Sequence, residues 1–212
     1  MPPLLSTIAG TVDVIGLLSF QLFTAHITGN LVVIAALLVR GGPPDVAQVL
    51  SVPVFIFAVC FVWFIAKKLG KRGPDLARPL LLIQFLLLLC VLTISVVYSP
   101  EKNPHGMMGT VAPLVALSAM ASQYTLLRTA APKSPSTAVM TGNLTFTVLS
   151  LMDKASRGGP VIKSDNEHLK ETLAALIGFF GGCLAGAAAV TWLGDWSWSL
   201  PVVLAGVALV LI

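Results

Sequence analysis

From Leu80 to Tyr98 the chain carries no charged residue, and Gln84, Thr93 and Ser95 are the polar residues inside the run. As a helix rising 1.5 Å per residue this run is about 28 Å long, close to the ~30 Å hydrocarbon core of a bilayer. Such a run belongs either in the centre of a large soluble core or in lipid. Composition decides between them. Only 10% of the 212 residues are charged and 56% are hydrophobic, whereas soluble domains carry about 25% charge. Too little polar surface exists to coat a soluble fold. The runs are continuously apolar and do not alternate, which excludes an outer-membrane barrel. The sequence therefore predicts an all-α polytopic membrane protein, a single membrane domain over residues 1–212.

The other segments follow suit. Leu4–Leu22 is apolar apart from Ser6, Thr7, Thr11, Asp13, Ser19 and Gln21. No Lys or Arg precedes it, so it reads as a span and not as a cleavable signal. Phe23–Thr28 interrupts the pattern, Leu31–Val39 resumes it, and Arg40-Gly41-Gly42-Pro43-Pro44 ends it. Val49–Ala66 leads to Lys67 and Lys68. Met108–Leu127 is followed by Arg128 and the Pro-containing stretch Thr129–Thr137. Ala138–Met152, Leu173–Leu193 and Leu200–Ile212 complete the set, with Asp153–Glu171 as a polar loop.

Within this frame one string occurs twice. Thr28-Gly29-Asn30-Leu31 reappears as Thr141-Gly142-Asn143-Leu144. Each copy follows a break-prone run and precedes an apolar one, which predicts internal repeats over roughly 4–98 and 108–212. If both pieces around each copy cross the membrane, the chain has eight spans in parallel repeats. If each pair makes one net crossing through a broken or re-entrant helix, it has six, as two three-span inverted repeats. Loop charge favours six. Loops Lys67–Arg78 and Asp153–Glu171 then share one side with five plus four basic residues, against Arg40 and Lys102 on the other. Eight spans would put those loops on opposite sides. Six spans place both termini in the cytoplasm, in a plasma (inner) membrane protein.

Polar groups at membrane depth need a partner or a cavity. Thr28, Gly29, Asn30, Thr141, Gly142 and Asn143 have the chemistry of helix starts, since Thr and Asn cap helices and Gly permits close approach. Two helix N-termini at the midplane would favour a small anion or polar solute; the alternative is that the motifs serve packing. Asp13 is the acid inside an apolar run, and a buried carboxyl there is paired or protonated. It stands 15 residues before Thr28, as Arg128 stands 13 before Thr141, so the two read as near-equivalent. His26 can titrate near neutral pH. Gln123 is a further pocket-lining candidate. No second His or Cys stands at ligand spacing, so no metal or cofactor is expected. Cys60, Cys90 and Cys183 lie in separate apolar runs and read as buried hydrophobes. Gly178, Gly182 and Gly186 form a small-residue helix face for close packing, within the chain or in a homo-oligomer.

Ala9-Gly10-Thr11-Val12-Asp13, then Ala25-His26-Ile27-Thr28-Gly29-Asn30, resembles the opening of the YoaK-type bacterial membrane proteins. The second half matches too, with Gln123, Arg128 and Val139-Met140-Thr141-Gly142-Asn143. Tyr124 departs from the small polar residue usual after that Gln, and Pro132–Pro135 is a second departure. The family is one of unknown function, described as candidate small-molecule transporters. The resemblance thus implies a membrane transport protein and names no solute.

The expected function is a secondary transporter of a small polar or anionic solute, proton-coupled through Asp13 or His26, with its site at the paired Thr-Gly-Asn motifs. A passive pore is the alternative, and a membrane scaffold or enzyme a more distant one. One Asp, one His and one Arg are too few convergent groups for an enzyme. The partners are the lipid bilayer and the solute. The basic residues flank spans and do not indicate nucleic acid.

Overall fold

The helix at the centre of the structure is α1, Pro2–Phe20. Its Ile8, Ala9, Val12 and Ile15 have no exposed surface. The computed structural model describes residues 2–41, 44–70, 74–103, 106–132, 134–137, 140–156 and 166–212. Lys71, Arg72, Arg157 and Lys163, which entered the loop-charge comparison, lie outside the described residues, as do Lys133, Ala138 and Val139. After α1 come α2 (Ile27–Arg40), α3 (Val46–Leu69), α4 (Pro74–Tyr98), α5 (Met107–Ala130), α6 (Met140–Ala155), α7 (Asn166–Leu193) and α8 (Ser199–Val210). Two short 3-10 turns, Pro100–Lys102 and Gly194–Trp198, precede α5 and α8. No strand occurs among the described residues.

Five stretches are long and apolar enough to cross a membrane: α1, α3, α4 from Asp75, α5, and 166–210, which holds α7 and α8. Several helices outrun the apolar windows of the sequence. Gln48 Oε1 accepts the Asp45 backbone N–H at 3.2 Å, which starts α3 at Val46, three residues before Val49. α7 begins at Asn166, inside the stretch expected to be a polar loop. A helix can extend past the lipid boundary into water, where polar residues suit it. Gly41 and Gly70 end α2 and α3 in left-handed conformations, φ 77° and 62°. Lys67 and Lys68 lie over the Trp63 and Phe64 rings, each 5.2 Å from the centroid, as aromatic and basic anchors do at an interface.

Backbone contact joins α1 to α7. A Cβ on Gly182 would fall onto the Thr7 carbonyl, and one on Gly10 onto the Phe179 carbonyl. On Gly178 it would stand 2.6 Å from the Pro3 carbonyl oxygen, and on Gly186 3.0 Å from that of Thr11. The contact order Pro3–Gly178, Thr7–Gly182, Thr11–Gly186 makes the two helices parallel. Thr7 and Thr11 donate their hydroxyls to the carbonyls of Pro3 and Thr7, at 3.0 and 2.7 Å. Those hydroxyls are thereby satisfied at a contact that has no room for water.

The remaining contacts sort the helix ends onto two faces. Pro2, Leu5, Ala77, Leu127, Ala130 and Ile212 line one cavity. The starts of α1 and α4 and the ends of α5 and α8 therefore lie together, on the amino-terminal face. Phe20, Gln21, Asp45, Glu101 and Lys102 line a cavity on the opposite face. There Gln48 donates to the Gln21 carbonyl at 3.2 Å, Ser99 donates to Asp195 at 2.6 Å, and Trp198 stacks on Phe20. α1, α4 and α7 thus run from the amino-terminal face to the opposite one, and α3, α5 and α8 run back. α1 packs on α7 and α8, while α5 packs on α3 and α4. The short helices α2 and α6 pack on α3 and α7.

Candidate functional site

After Phe20 the chain does not simply leave the bundle. Gln21 takes a left-handed backbone (φ 53°), unusual for a residue with a side chain, and the chain turns back along α1. At the tip of the turn, Asp13 Oδ1 accepts the Ala25 N–H at 2.7 Å and Asp13 Oδ2 meets His26 Nδ1 at 2.6 Å. Asp13 lies seven residues before the end of α1, about 10 Å inward. α2 therefore starts at depth, and Asp45, just beyond its end, is back beside Phe20 and Gln21. Residues 21–40 enter and leave by the same face.

The loop after α5 is likewise held by a buried polar side chain of the preceding helix. Gln123 lies seven residues before the end of α5. Its Nε2 donates to Thr137 Oγ1 at 3.1 Å in the returning loop, and to the Leu5 carbonyl at 2.9 Å. Gln84 Nε2 donates to Gln123 Oε1 at 2.7 Å. The Thr-Gly-Asn motifs occupy the same positions in both following helices, immediately after Ile27 and Met140, the first residues of α2 and α6.

The motif residues are not caps. α2 has His26 at its N-cap, with no side-chain capping bond. Thr28, Thr141 and Gly142 are exposed. Asn30 instead reaches back seven residues, accepting from Phe23 N–H at 2.9 Å and donating to Phe23 C=O at 2.8 Å. Asn143 does the same, donating to Ser136 C=O seven residues back at 2.6 Å. Each Asn clasps the loop that leads into its helix. Gly29 makes room for the Phe23 ring, which would lie 3.0 Å from an added Cβ.

These clasps differ in strength. Asn30→Ala removes two bonds from a residue that is 1% exposed, and at about 1 kcal/mol each should cost about 2 kcal/mol. Asn143→Ala removes the Ser136 bond and should cost about 1 kcal/mol. Thermal unfolding in detergent should rank Asn30→Ala as the more damaging; the reverse order would contradict the clasp.

The Asp13 side chain is 8% exposed and that of His26 33%. The carboxylate therefore faces the dry interior while the imidazole has an open side. Phe179 packs against the His26 ring edge-on, 5.5 Å between centroids. This arrangement can hold one proton between two bases and pass it to whatever reaches His26. Arg128, expected as the counterpart of Asp13, is exposed at the end of α5, and Asp13 is paired with His26 instead. By helix position the counterpart of Asp13 is Gln123. Among the described residues no cluster of three His, Cys, Asp or Glu could hold a metal.

A family model matches residues 3–211. The chain belongs to the DUF1275 family. Its description is a protein of unknown function, and the YoaK-type pattern in the sequence belongs to the same family. No curated protein and no solved structure matches the chain. In this DUF1275 chain the residue after Gln123 carries more than its sequence suggests. Tyr124 donates its hydroxyl to the Ala25 carbonyl at 2.7 Å, beside the Asp13–His26 pair. Adjacent residues of α5 therefore hold both loops, Gln123 the second and Tyr124 the first. Thr137 and Gln84 are further members that the sequence reading missed. The sequence carried no signal for them: the common seven-residue distance of Asp13 and Gln123 from their helix ends appears only with the ends at Phe20 and Ala130.

Proposed function

We propose that this chain is a proton-coupled secondary transporter of a small polar or anionic solute. In this reading α1, α3, α4, α5, α7 and α8 cross the membrane, and α2 and α6 are re-entrant. The chain is then two inverted repeats, α1–α4 and α5–α8. Six crossings leave both termini on one side. Among the described residues Lys67, Lys68, Arg78, Arg128, Lys154 and Lys170 flank the helix ends of that side, while Arg40 and Lys102 flank the other. The positive-inside rule then makes the amino-terminal face cytoplasmic. Helix pairing supports the symmetry: α1 on α7 is matched by α5 on α3, and α1 on α8 by α5 on α4.

The observation that carries the reading is that one dipeptide, Gln123-Tyr124, joins both re-entrant loops next to the Asp13–His26 pair. Inverted-repeat transporters place their sites at such discontinuous helices near the midplane, where helix N-termini favour anionic groups. A change in protonation or occupancy at His26 would be felt in both loops through one turn of α5. The test is a panel of small polar and anionic solutes, offered to proteoliposomes loaded with a pH-sensitive dye. Saturable uptake accompanied by proton movement is expected. Flux that never saturates and ignores the proton gradient would replace this reading with a pore.

A further inference from the structure

A second group of titratable residues lies away from the loops, on the face opposite the amino terminus. Ser99, in the connection after α4, donates to Asp195 Oδ2 at 2.6 Å, across to the turn after α7. Asp195 Oδ1 is buried and meets no N–H or hydroxyl donor among the described residues. Glu101 faces it from the neighbouring 3-10 turn and stands on the rim of a cavity of about 490 Å³. An orphaned carboxylate oxygen opposite a second carboxyl is a place for a proton, because a protonated carboxyl is a donor and two ionised ones repel.

We propose that Glu101 and Asp195 share one proton and form a pH-sensitive latch that ties the α4–α5 connection to the α7–α8 turn over this cavity. It holds whether or not the chain moves a solute. The carboxyl of Glu101 is raised above its ordinary 4.5 by partial burial first, then by its hydrogen bond to Asp195 and the charge there, with Lys102 opposing. Among the described residues the other ionisable groups near the pair are Asp45 across the cavity and the Tyr98 phenol at the end of α4. A carboxyl and a phenol carry no positive charge, so neither neutralises the pair. With the proton in place the orphan oxygen is satisfied and the turns are joined. With it lost, the carboxylates repel, the Glu101 turn swings out and the cavity opens.

The sign follows from linkage. A carboxyl whose folded value is raised binds its proton more tightly in the folded chain. Its contribution is therefore full below about pH 4.5 and is lost as pH rises through the raised value. The unsubstituted protein should accordingly melt at a lower temperature at about pH 8 than at about pH 5, and Glu101→Gln should flatten that difference. Opening is read with Leu18→Cys, a residue lining the cavity, by the rate of thiol labelling. At about pH 5 this variant and Leu18→Cys/Glu101→Gln should label alike. At about pH 8 the variant that keeps Glu101 should label several-fold faster. Asp195→Asn should remove the difference as well. Equal labelling of both at every pH, or a melting temperature of the unsubstituted chain that does not fall with rising pH, would overturn the latch.

Discussion

Replacing Gly182 by leucine should leave little folded protein. A Cβ at this position already falls onto the Thr7 carbonyl, so the helices must separate before any side chain fits. The obstacle is backbone, which cannot change rotamer. Small residues are what allow helices to approach this closely in lipid, where no hydrophobic drive compensates for lost contact. Separation would also open the contacts of Gly178 with Pro3 and of Gly10 with Phe179. A cost of at least about 3 kcal/mol is expected, at the upper end for overpacking, and a domain has only about 5–15 kcal/mol to lose. Gly181 is the control, because nothing lies within 4 Å of a Cβ there. Gly181→Leu should stay within about 0.5 kcal/mol of the parent. Size-exclusion profiles and melting temperatures in detergent distinguish the two. Equal damage at both positions would mean that helix propensity or lipid contact, and not the α1–α7 crossing, sets the effect.

How much of this was legible beforehand depended on which forces are local. The membrane class follows from Leu80–Tyr98 and the shortage of charge, because every residue of such a run must avoid water. The breaks before each Thr-Gly-Asn were legible from their polar and proline residues. Depth was not. Nothing in residues 21–26 states that the loop folds back to Asp13; that requires the carboxylate to find the Ala25 N–H and His26 across 12 and 13 residues. The mistaken equivalence of Asp13 with Arg128 has a simple cause. Counting back from the Thr-Gly-Asn copies assumes loops of equal length, yet the gap between α5 and α6 is three residues longer than that between α1 and α2. Counting from the helix ends gives Gln123. Asn30 and Asn143 were legible as special but not as clasps, since capping is a contact within one turn and these bonds reach seven residues back. Tyr124 stood out as a departure, and its partner Ala25, 99 residues away, is visible only in the fold.

On the proposed transport reading, Asp13→Asn should separate the proton from the solute while leaving the loop in place. Asparagine keeps an oxygen to accept the Ala25 N–H, and its amide can still donate to the imidazole once His26 adopts the other tautomer. The melting temperature should therefore change little. Asp13→Ala, by contrast, removes a partner from a nearly buried pair and should cost about 3 kcal/mol or more. What asparagine cannot do is take up a proton or stabilise a charged imidazolium. The proton and the solute are coupled when binding of one alters the affinity for the other, and such couplings are commonly worth about 5- to 150-fold. Proton-driven accumulation should fall by about 10- to 100-fold in Asp13→Asn, with solute exchange at equal pH on both sides largely retained. His26→Gln should share this phenotype, because it leaves the carboxylate without the group that hands its proton outward. Normal accumulation by both variants would remove Asp13 and His26 from the coupling. Loss of exchange as well as accumulation would instead make the pair a support for the loop, with Tyr124 and Asn30 as its other fastenings.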